Sequence, residues 1–157
     1  MNQIIFGLSV LSILAAAPVS ATDGRRHIMP GGMMASGLFI PEMNAKRGRE
    51  LFASKGCVVC HSINGIGGEV APMLDAEFMD EIMNPFDFAA RMWRGGGAMI
   101  ARQQTELGKQ IDLTGQELAD IIAFVHNAEE QARFSEFDVP HEIEEMMQGA
   151  VEEDHDE

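Results

Sequence analysis

The sequence predicts an all-α fold, a bundle of about four to five helices, and three observations carry that prediction. Leu118, Ile121, Ile122 and Val125 follow the i, i+3, i+4, i+7 spacing of a helix that buries one stripe. Thr114 with Glu117 three residues on forms a capping box that opens the same segment. Glycine and proline clusters at Pro30-Gly31-Gly32, Gly65 to Gly68, Asn84-Pro85 and Gly95-Gly96-Gly97 divide the chain into pieces of helical length.

Length and charge bound the rest. A chain of 157 residues with 46% hydrophobic and 6% aromatic side chains is one domain's worth with one modest core. The formal net charge of -14, from 25 acidic and 11 basic side chains, argues against nucleic acid and anionic membranes as partners. It favours a partner with a basic or neutral docking face.

Residues 1–21 read as a signal peptide. Ile4 to Val19 is almost wholly apolar, and Val19-Ser20-Ala21 places small residues where a signal peptidase reads, so cleavage after Ala21 and a periplasmic, exported protein without a membrane span are expected. Residues 22–43 form an extended leader broken by Pro30-Gly31-Gly32, Gly37 and Pro41. His27, Met29, Met33 and Met34 there are soft enough for Cu(I), but the sequence has twelve scattered Met, and Met more often fills apolar gaps.

A first helix is expected from Asn44 to Lys55, capped by Asn44 and ended by Gly56, with Gly48, Leu51 and Phe52 on one side. Glycine inside a helix costs stability, so Gly48 marks a frayed start or a close approach by another backbone.

Next comes Cys57-Val58-Val59-Cys60-His61, the C-x-x-C-H signature of c-type haem attachment. Two thiols three positions apart can each add across a haem vinyl group, which places the adjacent imidazole beneath the iron. Cys57 and Cys60 are then covalent anchors and His61 the proximal ligand. A thioredoxin-like site, half a zinc site, a structural disulfide and a partial metal site are the competing readings. The first needs a βαβ context and the second another Cys pair, and neither is present.

Ser62 to Gly68 reads as a flexible turn, and Ala71-Pro72 as a loop whose Pro72 carbonyl can accept the second N–H of His61. Residues 75–83 show apolar Phe78, Met79, Ile82 and Met83 at helical spacing and predict a short amphipathic helix. Phe86 to Trp93 predicts another, with Phe88, Met92 and Trp93 near one side, closed by Gly95-Gly96-Gly97. Beyond that hinge stands Met99. The far axial position of a c-type haem is most often filled by Met sulfur, so Met99 is the candidate distal ligand and Met92 the runner-up. Trp93 and Arg94 beside it can donate to a haem propionate.

After a polar stretch, 101–113, the capped helix from Thr114 needs a partner, and the side carrying Gly48 and Phe52 offers one. Residues 129–157 read as an acidic, partly disordered tail ending in Glu152-Glu153-Asp154-His155-Asp156-Glu157. His27, His126, His141 and His155 read as surface residues, each a replacement distal ligand in principle.

Together, the Gly48-x-x-x-Phe52 helix, Cys57 to His61, Ala71-Pro72, a Met after a mid-chain helix and a last helix with Phe124 make residues 44–128 resemble the class I c-type cytochromes. That resemblance implies one covalent haem c, iron between His61 and a Met, and crossing of the first and last helices near Gly48, Phe52 and Phe124. Ala71 stands where Gly is usual, the Met99 segment lacks the common Pro, and the stretch from Met99 to Thr114 is longer than in compact members. It implies electron transfer without catalysis, by a free periplasmic carrier or, alternatively, by the haem subunit of a larger periplasmic oxidoreductase.

Overall fold

A computed structural model describes residues 33–35 and 37–153, so the expected signal peptide, most of the leader and residues 154–157 lie outside the described residues. The organising contact is between helix α1 (Ala45–Ser54) and helix α4 (Gly115–Val125), which pack along one another. Each begins at a side-chain cap. Asn44 accepts from the Arg47 amide at 3.0 Å, and Thr114 and Glu117 form the reciprocal capping box. Lys55 bridges to Glu117 at 2.7 Å, and its ammonium with the Thr114 donors holds that carboxyl down to about 2.

Gly48 sits at the crossing. A methyl group there would stand 2.0 Å from the Asp120 carbonyl oxygen and 2.7 Å from Phe124 Cβ, so close approach, not a frayed start, explains the glycine. Asp120 itself is 1% exposed, which is tolerable because Arg47 Nε and Nη2 (2.8 and 3.0 Å), the Asn44 amide (2.8 Å) and Gln116 Nε2 (3.1 Å) all donate to it. One turn on, Phe52 meets Phe124 with ring centroids 5.7 Å apart.

Helix α2 is the single turn Cys57–Cys60, and the segment after it is not a flexible turn. Strands β1 (Ser62–Ile63) and β2 (Ile66–Gly67) form a hairpin closed by Asn64 and Gly65, both with positive φ (52° and 76°). That is the backbone of a two-residue turn matching strand twist, and Asn-Gly between apolar neighbours is its sequence signal. A Cβ at Gly67 would lie 2.2 Å from the His61 carbonyl oxygen, and one at Gly68 2.0 Å from that of Val59. The glycines let the hairpin lie directly on α2. In the leader, 33–35 and 38–40 likewise pair as a hairpin where an extended chain is expected, with Leu38 and Phe39 exposed.

Two expected helices change form. Within 75–83 there is only a 3-10 turn, Ala76–Phe78, with Phe78 exposed and Ile82 93% exposed. Met79 packs against the core, while Phe78 and Ile82 find no apolar surface to cover. Conversely α3 runs 22 residues, Pro85–Glu106, straight through Gly95-Gly96-Gly97, where the sequence predicts an end and a hinge. Glycine in a helix costs about 1 kcal/mol relative to Ala. Asn84 capping the Phe86 amide, Pro85 at the first turn and the helix-forming runs on both sides outweigh three such residues.

The expected acidic tail is also largely folded. Helices α5 (Ala128–Gln131) and α6 (His141–Glu153) follow α4, and Phe134, Val139 and Ile143 are buried in the main core. Phe134 sets its ring edge-on to Phe52 (5.6 Å) and Phe124 (5.8 Å). Arg49 of α1 donates to Glu130 at 2.9 Å and also pairs with Asp138, fastening the segment from outside. Acid density along the sequence conceals these apolar residues, spaced wider than one helical stripe.

Candidate functional site

Gly56, in the left-handed region with φ 82°, ends α1 and starts α2. Val58 and Val59 are buried and anchor the turn, which leaves Cys57 and Cys60 one turn apart, both as free thiols. Burial pushes the Cys57 thiol from an ordinary 9.0 up to about 12, with Cys60 adding to the rise. Burial also raises Cys60, Glu106 adding to the rise and Arg102 opposing it.

His61 follows at the end of α2, its Nδ1 2.7 Å from the Pro72 carbonyl oxygen. A carbonyl only accepts, so Nδ1 carries the proton and Nε2 keeps the lone pair a metal ligand needs. The loop bearing Pro72 is tied to the motif on either side. The Ala71 amide donates to Cys60 O at 3.0 Å and the Leu74 amide to Ser62 O at 2.9 Å.

Helix α3 supplies the facing wall. Phe88, Met92, Gly96, Met99 and Gln103 are its less exposed residues at three- and four-residue spacing, one stripe turned inward. Near one end of the helix Phe88 packs edge-on against His126 at 6.0 Å; near the other, Arg102 and Glu106 act on Cys60. Met99 is thus half-buried on the inward stripe, on a helix and not on the loop after a hinge that the sequence predicts. Met92 lies on the same stripe two turns earlier. Trp93, 86% exposed, and Arg94 face away from it, so the structure does not bring them to the stripe.

His126 is not the surface residue the sequence suggests. Its Nδ1 donates to Ile122 O at 2.8 Å, and its buried Nε2 is without a partner among the described residues.

These residues fit a haem better than a bare ion. Among the described residues no three His, Cys, Asp or Glu side chains gather to hold a metal. Beside Gly96, on the inward stripe, the space is open, since an added Cβ would meet nothing within 4 Å outside its own stretch of helix. Sequence reasoning missed the Asn64-Gly65 hairpin that shapes α2, legible from that dipeptide, and Gln131, which no local pattern marks.

An all-α domain with two free thiols one turn apart, followed by an imidazole oriented through its Nδ1, belongs to the class of proteins that hold haem covalently. Residues 45–129, more than half of the chain, match Cytochrome c, and the chain belongs to the cytochrome c family. It is accordingly a haem c protein of electron transfer, acting on redox partners. No curated protein and no solved structure matches it.

Proposed function

We propose that this chain is a periplasmic monohaem electron carrier in which Cys57 and Cys60 hold the haem, His61 is the proximal ligand and Met99 the distal one, with Met92 as the alternative. Bound haem supplies a one-electron Fe(III)/Fe(II) couple. The observation that carries the reading is the Nδ1 bond from His61 to Pro72, directly after two free thiols on one turn. That bond fixes the ring's orientation and raises its basicity. Thioether sulfur from α3 would favour the ferrous state and raise the potential. The apolar stretch at 1–21 supports export, with 22–43 as leader and 44–128 as the cytochrome domain. The net charge of -14 supports a partner with a basic or neutral face and argues against nucleic acid.

Purified protein should carry one haem that survives acid-acetone extraction, because thioether bonds outlast unfolding. A porphyrin that partitions into the organic layer ends the proposal. The oxidised protein should show the weak far-red sulfur-to-iron band, lost in Met99→Ala together with a fall in potential and retained in Met92→Ala. The reverse pattern moves the ligand to Met92. An absent band removes Met from the site and leaves either a histidine, with the unpaired Nε2 of His126 first in line, or an open sixth position.

A specific feature favours the second reading, a subunit of a larger oxidoreductase. Phe86, Trp93 and Ile100 are exposed at seven-residue intervals along α3, an apolar row of the kind a partner covers. Size-exclusion of native extract separates the two, since a carrier migrates alone and a subunit with its complex.

A further inference from the structure

Gln131 lies beyond the stretch that matches the family and has no place in the site as described, yet it is 2% exposed and every polar atom of its side chain is bonded. Its Nε2 donates to Leu74 O at 3.0 Å and to Phe124 O at 3.3 Å, and its Oε1 accepts from the Ala76 amide at 2.8 Å. Both carbonyls only accept and the amide only donates, so the orientation of the carboxamide is unambiguous. Its main-chain carbonyl accepts from Asn64 Nδ2 at 2.9 Å, in the hairpin that lies on α2.

The residues it grips, 74 and 76, follow Pro72 closely. On the near side the loop is tied to the motif by Ala71 to Cys60 and Leu74 to Ser62, and by Asp75 Oδ1, which accepts from the Asn64 amide at 2.7 Å. On the far side Gln131 fastens it, linking the loop to the end of α4 at Phe124. The loop's function at this point is to hold one carbonyl 2.7 Å from His61 Nδ1.

We propose that Gln131 is a positioning residue for the proximal ligand, holding the 72–76 loop so that Pro72 keeps its bond to His61 and thereby setting the electron donation of the imidazole. This inference rests on His61 being the proximal ligand. The physical chain is short. A ring that donates its Nδ1–H is a more basic ligand at Nε2 and stabilises ferric iron, so a loosened Pro72 carbonyl raises the reduction potential.

Gln131→Met keeps the length and apolar stem while removing all three side-chain bonds. The haem-loaded variant should show a higher reduction potential than the parent, and hydrogen exchange at the Ala76 amide at least about fivefold faster, the factor one net hydrogen bond provides. The His61 Nδ1 proton, followed by NMR in the ferrous state, should exchange faster as well. Phe134→Leu, a core change in the same segment that touches no loop bond, should lower stability and leave potential and exchange at parental values. Unchanged potential and exchange in Gln131→Met, or an equal shift in Phe134→Leu, overturns the proposal. A parent protein without covalent haem or without histidine ligation instead overturns the functional reading beneath it.

Discussion

If Cys57 and Cys60 hold the haem as proposed, they are the residues whose chemistry changes most between the haem-free and haem-loaded protein. Thiolate is the reactive form of cysteine, and burial in the folded chain keeps Cys57 protonated, its thiol pushed up to about 12. The same shift has a thermodynamic consequence. A thiol whose pKa is higher folded than unfolded contributes stability that is complete below the unfolded value and is lost as pH rises towards the folded one. Haem-free protein should lose stability between about pH 9 and pH 12, measured as a falling urea midpoint, and Cys57→Ala should remove most of that slope. Thioether sulfur does not titrate, so the haem-loaded form should lack it. A slope equal in the parent and in Cys57→Ala would show that this thiol is not its source.

Among the elements, the segment from α5 to α6 alters the usual accounting of a small haem domain. Phe134 completes a three-ring cluster with Phe52 and Phe124, and Ile143 comes near Gly56, where its Cδ1 would be 3.7 Å from an added Cβ. The C-terminal segment thus braces both the α1–α4 crossing and the turn that precedes Cys57. Phe134→Ala should cost about 3–5 kcal/mol, the range for emptying a buried aromatic site, read from denaturant unfolding of the haem-loaded protein. A cost below about 1 kcal/mol would mean that the segment only rests on the core.

Taken as a whole, the molecule carries a charge of -14, which acts at distances set by the Debye length. Electron exchange with a basic partner should slow as salt rises, because steering depends on an unscreened field. The fold dictates how the acidic end is to be removed. Cutting after Val139 would also delete buried Ile143, whereas removing residues 149–157 takes five acids and leaves Ile143, Met146 and Met147 in place. The shorter truncation should flatten the salt dependence of the stopped-flow rate and leave the haem spectrum unchanged. A rate independent of ionic strength in the full chain would rule out steering.

What the sequence alone determined is what depends on near neighbours or on steric exclusion. Asn44 and the Thr114–Glu117 box cap α1 and α4 because capping is decided within four residues. Gly48 foretold the crossing because no other residue admits a backbone at that distance, and a Pro-bearing loop close to His61 has few places to go but over the ring. Only the tertiary structure decided what depends on packing partners. Gly95-Gly96-Gly97 end a helix by propensity, yet α3 continues, with Met92, Met99 and Gln103 on its inward side. The 75–83 segment has helical spacing, yet it sets Met79 against the core and leaves Phe78 and Ile82 exposed. Gln131 reads as one polar residue among acids, and its hold on the 72–76 loop emerges only where the chain, 57 residues after Leu74, returns to it. Such a role is invisible to periodicity, because hydrogen bonds between distant backbone groups leave no repeating mark in the sequence.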